Sequence, residues 1–286
     1  MAGKFARSWA LMKASAEVLR SDKSLLMFPL MSGICTLLVA ATFLIPIAMS
    51  IVSDAHMPEY VGAHHHSPIY YVVMFAFYLV QYAVIIFFNT ALASVALQRL
   101  RGEEASVADG IAVAKSRLGT IIGYALIAAT VGLLLRTLQE RMGLIGRFVV
   151  GLLGLAWTVA TFLVVPVLAS EEVGPVDAVQ RSTELLRRTW GENLIGNAGI
   201  GVIFGLIMVV AVLLSALLII GAAGTHSVVA MVTIAAVLVV AFTLLGLIQS
   251  SLQGIYAAAL YRYAEDGEAG GPFDQLLLEQ AFRPKA

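Results

Sequence analysis

The chain has 286 residues, of which 60% are hydrophobic and 13% are charged. Soluble domains carry about 25% charged residues, so this composition excludes an ordinary soluble protein and indicates one embedded in a membrane. The 18 basic and 18 acidic residues cancel to a formal net charge of zero, which leaves no overall field to attract nucleic acid.

Six long apolar stretches, none with an acidic or basic residue in its interior, predict membrane spans. Each can cross about 30 Å of hydrocarbon, and helices are expected because backbone polar groups in lipid must be paired within the segment. We therefore predict an all-α integral membrane protein with six transmembrane helices at 25–53, 69–97, 118–138, 148–170, 194–220 and 228–260. The whole chain, 1–286, is expected to form one membrane domain: an interfacial helix over 1–24, the six-helix region over 25–260 and a cytoplasmic tail over 261–286.

The positions of three prolines and the length of the first apolar stretch lead to two further predictions. Pro29, Pro46 and Pro166 lie near the ends of predicted spans, where a helix start or a kink costs least. The N-terminal segment runs into an apolar stretch too long for a signal-peptide core, so we expect no cleaved signal peptide.

The basic residues predict the orientation. Of the 18, only Arg136, Arg141 and Arg147 fall on one side of the predicted membrane. Because positive charge collects in cytoplasmic loops, both termini are predicted to be cytoplasmic in the inner membrane. The residues on the predicted cytoplasmic side are Lys4, Arg7, Lys13, Arg20, Lys23, Arg99, Arg101, Lys115, Arg117, Arg181, Arg187, Arg188, Arg262, Arg283 and Lys285.

Similar segments precede the odd-numbered spans. RSWALMK at 7–13 resembles RSTELLR at 181–187, and a weaker version lies at 107–117. We interpret them as cytoplasmic amphipathic helices in a threefold helix-plus-hairpin repeat, although any short basic helix next to a span looks similar. Trp9, Leu11, Met12, Leu19 and Trp190 are expected to lie in lipid, and the residues expected at the headgroups are Arg7, Lys13, Arg181, Arg187 and Arg188.

Several short motifs also carry a family resemblance. They are RSW at 7–9, LMFP at 26–29, VPV at 165–167 with Glu171, the segment 178–187, and a tail with FD at 273–274 and AFRPK at 281–285. With these motifs the chain resembles an uncharacterised bacterial and archaeal membrane-protein family that carries a domain-of-unknown-function label. The resemblance covers nearly the whole chain and implies a multi-pass membrane protein of this size, but no activity and no site residues.

The loop between the first two spans holds four of the five histidines, beside Asp54 and Glu59. Imidazole and carboxylate suit zinc, copper or nickel, and the candidate ligands are His56, His64, His65 and His66. Three consecutive histidines cannot all reach one ion from a regular strand or helix. A solvated polar loop is the alternative interpretation.

Four amides inside the spans form a second candidate site. Gln81 and Asn89 are eight residues apart, and Gln249 and Gln253 are four apart, so each pair shares a helix face. Such amides usually form interhelical contacts that hold a bundle together. They could also line a polar path for a solute.

No nucleophile motif, phosphate-binding loop or buried ionisable relay is present, so we predict no enzymatic activity and no cofactor. The predicted role is membrane organisation or assembly through lipid contacts or a protein partner on the cytoplasmic face. The alternative is a transporter or channel for a neutral or amphipathic solute. Gly201 and Gly205 could pack helices within the chain or between copies in a homo-oligomer.

Overall fold

The structure is a computed structural model that describes residues 4–53, 68–190, 199–224, 227–268 and 270–273. Within these ranges the chain is all-α, with no strand, as the sequence predicts. A 3₁₀ turn at Lys23–Leu26 joins the first two helices. The helices are α1 (Lys4–Ser21), α2 (Met27–Ser53), α3 (Pro68–Leu100), α4 (Val107–Ser116), α5 (Leu118–Arg141), α6 (Leu144–Ala160), α7 (Val164–Ser170), α8 (Pro175–Trp190), α9 (Gly199–Gly224) and α10 (Val228–Asp266).

Six helical segments are long and apolar enough to cross a membrane, which confirms the prediction of a multi-pass membrane protein. The last span extends to Asp266, beyond its predicted end, and at 36 residues is longer than a bilayer requires. The segments are Lys23–Pro46, Val72–Leu100, Leu118–Arg141, Ile145–Ser170, Phe204–Gly221 and Met231–Asp266.

The fourth span is divided by a short turn that the sequence did not predict. α6 ends at Ala160 and α7 begins at Val164. Pro166 is the third residue of α7, where its missing N–H costs little, whereas its ring would clash with a carbonyl four residues earlier in a continuous helix. Pro29 is likewise the third residue of α2, but Pro46 lies inside α2, which continues to Ser53.

The chain divides into two compact units. One contains Met1–Leu26, Ala96–Glu104 and Leu185–Ala286, and the other contains Met27–Val95 and Ala105–Glu184. The organisation of 1–286 as a single membrane domain stays a prediction.

The first unit is built around the N-terminal helix. α1 packs against α9 and α10. Its buried residues Leu11, Ala14 and Val18 recur at three- and four-residue spacing and so form one helix face. On α10 the buried residues gather between Ser251 and Tyr261, and the described side chains of the preceding turns are exposed or half-buried.

The second unit contains a short helix that is capped and closely packed. Ser106 Oγ accepts a hydrogen bond from the Asp109 backbone N–H at 3.3 Å, and the Asp109 carboxylate accepts one from the Ser106 N–H at 2.8 Å, so α4 starts at a capping box. A Cβ added to Gly110 would lie 2.7 Å from the Ala91 carbonyl oxygen. Glycine therefore permits the close approach of α4 to α3.

Candidate functional site

The histidine loop lies outside the described residues, so the metal hypothesis for His56, His64, His65 and His66 stays a prediction. In the part of the chain that the structure describes, no group of three or more His, Cys, Asp or Glu side chains is arranged to hold a metal ion. The geometry at hand therefore concerns the amides and the charged residues.

Gln81 is half-buried on α3, and its amide is only partly satisfied. Its Nε2 donates to the Thr36 carbonyl at 3.2 Å, which forms a contact between α3 and α2. The buried Oε1 has no hydrogen-bond partner among the described residues, and neither does the buried Thr90 Oγ1 on the same helix. Asn89 is half-buried. The Gln81 bond is of the interhelical kind expected of a structural amide.

Gln249 and Gln253 lie on α10, half-buried and exposed respectively. They belong to the first compact unit, whereas Gln81 and Asn89 belong to the second. A polar path that uses all four amides stays a prediction.

Four described arginines on the predicted cytoplasmic side form ion pairs. Arg181 on α8 contacts Glu171 at 3.1 Å and Glu184 at 3.5 Å. The positive charge of each of the four is thus partly compensated by a carboxylate within the protein. The other pairs are Arg99–Asp22 at 2.9 Å, Arg117–Glu172 at 2.9 Å and Arg262–Glu268 at 3.4 Å.

The Arg99–Asp22 pair lies at the junction of α1 and the first span. Burial, the largest influence on the Asp22 carboxyl, tends to raise its pKa, but hydrogen bonds from the Ser24 hydroxyl and N–H and the charge of Arg99 together hold the pKa below its usual value. The Ser24 hydroxyl donates at 2.5 Å and its N–H at 3.0 Å. Asp22 is therefore ionised at neutral pH and fixes the 3₁₀ turn.

Other basic residues are exposed and form no ion pair with any described residue. They include Lys13, a predicted headgroup contact, whose Nζ lies 5.8 Å from the centroid of the Trp9 ring. Arg187 is also exposed, whereas the side chains of Arg7 and Arg188 lie outside the described part of the chain. The headgroup contacts stay a prediction for all of these residues and for the ion-paired Arg181. Further exposed residues of this kind are Arg20, Lys23, Arg101 and Lys115 on the predicted cytoplasmic side, and Arg141 and Arg147 on the other side.

The predicted lipid-facing side of α1 is partly wrong. Leu11 and Leu19 are 5% and 9% exposed and are buried within the protein, because this face of α1 packs against neighbouring helices. Met12 is half-buried, and Trp9 remains 47% exposed. The Trp190 side chain is not among those described.

Sequence reasoning missed the residue that bridges the break in the fourth span. The hydroxyl of Ser182, on α8, donates to the Ala160 carbonyl at 2.7 Å and accepts from the Leu163 N–H at 3.1 Å. It thereby satisfies one backbone group from each side of the turn. The Thr161 hydroxyl, in the turn, donates to the Trp157 carbonyl of α6 at 2.8 Å. Pro166 was the available signal for the break, but nothing in the sequence marks Ser182 as its partner.

Most of the chain matches a known protein family. Residues 68–271 match a family of unknown function, DUF6159. The chain belongs to this family. The match runs from the start of α3 to just beyond α10 and confirms the predicted membership in an uncharacterised family, which assigns no activity. No curated protein and no solved structure shows significant similarity to the chain.

Proposed function

We propose that this protein is a non-enzymatic component of the cytoplasmic membrane that organises or assembles the membrane through lipid contacts. The observation that carries the proposal is the set of exposed basic side chains beside the spans and on the helices that precede them, among them Lys13 and Arg187, which form no ion pair with a described residue. Basic residues beside a span are attracted to anionic headgroups, each by about 1 kcal/mol. The same role could also involve a protein partner on the cytoplasmic face or self-association of the chain.

The order of helices supports a threefold repeat and, with six spans, both termini on one side of the membrane. The distribution of basic residues favours the cytoplasm as that side. A short helix precedes two spans three times: α1, α4 and α8 precede α2, α5 and α9. In α4 and α8 the third residue is an aspartate, Asp109 or Asp177, and the next is a small buried residue, Gly110 or Ala178. These shared positions support the relation of the two helices, which would lie at the same membrane surface with α1.

Charge reversal tests the proposal. In the double variant Arg187→Glu/Arg188→Glu we expect weaker retention of anionic lipid or of a co-purified protein, because acidic side chains repel phosphate groups. The exchange Arg141→Glu/Arg147→Glu, on the other predicted side, is the matched control. Unchanged localisation, lipid retention and partner recovery in the first variant would contradict the proposal.

Transport of a neutral or amphipathic solute is the second candidate function. The observation that favours it is the buried Gln81 Oε1, which has no hydrogen-bond partner among the described residues and which a polar solute could satisfy. Replacement of Gln81 and Asn89, or of Gln249 and Gln253, by leucine would then abolish flux into proteoliposomes. Intact fold and intact flux in both variants would exclude this candidate.

A further inference from the structure

The exposed face of α1 combines an aromatic side chain with basic ones. Trp9, Lys13, Glu17 and Arg20 are all exposed and fall within about a quarter turn of one another on the helix. The opposite face, with Leu11, is buried against α9 and α10. The outward direction of this face is therefore fixed by the packing of α1 within its own unit.

The charges of this face are available to a ligand. Lys13, Arg20 and the neighbouring Lys23 form no ion pair with any residue in the described ranges. Glu17 is the one acidic residue on the exposed side of α1 among those described. Asp22, the next acidic residue along the chain, is held by Arg99 at 2.9 Å and by Ser24. The face thus keeps an excess of positive charge.

The position of α1 favours a membrane surface over a soluble partner. α1 ends at Ser21, two residues before the first span begins at Lys23, so Arg20 lies within one helical turn of the membrane boundary. Trp9, about three helical turns before Arg20, remains exposed, with Lys13 beside its ring. Tryptophan with neighbouring basic residues is typical of the interface between headgroups and hydrocarbon.

The geometry points to the Trp9–Lys13–Arg20 face of α1, together with the neighbouring Lys23, as a binding surface for anionic phospholipid, at the membrane surface where the first span begins. This inference rests on the proposed lipid-interacting function and locates it. Lys13 and Arg20 bind headgroup phosphates and Trp9 inserts beside them, whereas Arg181, which is paired with two glutamates, contributes little.

The test uses the full chain in nanodiscs that contain equal amounts of phosphatidylglycerol and phosphatidylcholine. Native mass spectrometry then measures the ratio of the two lipids retained on the protein. Because each basic residue contributes a factor of about five near an anionic surface, we expect K13Q/R20Q to lower the anionic preference at least about fivefold. E17Q, which removes the opposing charge, should raise it.

R101Q/K115Q is the comparison variant, since it also removes two exposed basic residues that have no ion pair with a described residue. Neither residue lies on or next to a helix that carries a tryptophan, so we expect this variant to lower the ratio clearly less than K13Q/R20Q does. Size-exclusion chromatography checks that every variant stays monodisperse. A wild-type preference that K13Q/R20Q leaves unchanged, or that R101Q/K115Q lowers equally, overturns the assignment to α1 while the proposed function stands. No preference in the wild type overturns the proposed function itself.

Discussion

Replacement of Ser182 by alanine should destabilise the protein more than the loss of one hydroxyl group usually does. The Ser182 hydroxyl is fully buried and forms two bonds, to the Ala160 carbonyl and from the Leu163 N–H, at 2.7 and 3.1 Å. Removal of the hydroxyl leaves both backbone groups without that partner in an apolar environment, and each such group costs about 1–3 kcal/mol. We therefore expect S182A to lower the free energy of unfolding by about 2–4 kcal/mol.

The assay is titration with SDS in mixed micelles, followed by the loss of helical circular dichroism. S170A is the matched control, because Ser170 Oγ donates at 2.9 Å to a carbonyl of its own helix, that of Pro166, and the residue is exposed. Its effect should stay below about 0.5 kcal/mol. Equal midpoints for S182A and S170A would refute the reasoning, since the turn would then close without the serine. A single interhelical hydrogen bond in a membrane contributes only about 0.6 kcal/mol on average. A clearly larger loss in the free energy of unfolding would therefore come from the two backbone groups that the variant leaves unpaired.

Three further predictions concern stability in the same assay. G110A should cost about 1–3 kcal/mol, because the new Cβ would lie 2.7 Å from the Ala91 carbonyl oxygen, whereas G119A, with open space at its Cβ, should be neutral or stabilising. A destabilised G119A and a neutral G110A would contradict this. The lowered pKa of Asp22 stabilises the fold above the carboxyl's unfolded pKa of about 3.9, and this contribution is lost as the pH falls through the folded-state pKa. D22N should therefore be less stable than the wild type at pH 7 by at most about 1 kcal/mol. The difference should vanish in acid. A difference that persists in acid would argue against the Arg99–Asp22 ion pair as its cause. Q81L should change stability by less than about 1 kcal/mol, because it removes one bond at 3.2 Å together with a buried oxygen that has no described partner; a severe loss would show that the amide has a partner beyond the described residues.

The number and positions of the spans could be predicted because they depend on apolar length alone. The third span was expected over 118–138 and extends over Leu118–Arg141. The break in the fourth span could not be predicted, because Pro166 is equally compatible with a kink near a helix end. Its stabilisation by Ser182 depends on a contact between residues 19 apart, which hydropathy does not record.

The sequence predicts α1 as an amphipathic helix, but it does not reveal what the apolar residues of that helix contact. Hydrophobic periodicity predicts that Leu11 and Leu19 share an environment without distinguishing lipid from protein. The structure buries both within the protein. Likewise, the sequence alone does not distinguish Arg181 from Lys13 as candidate headgroup contacts. The structure distinguishes them, because Arg181 is ion-paired with Glu171 and Glu184.

The most direct test of the central claim is the native mass of the full wild-type protein released from nanodiscs of mixed phosphatidylglycerol and phosphatidylcholine. The same spectrum reports the oligomeric state, the retained lipid and any bound metal. A lipid-interacting role predicts retained anionic phospholipid in defined stoichiometry, in excess over the zwitterionic lipid. Equal retention of both lipids, or a lipid-free protein that carries a bound neutral solute, would contradict it.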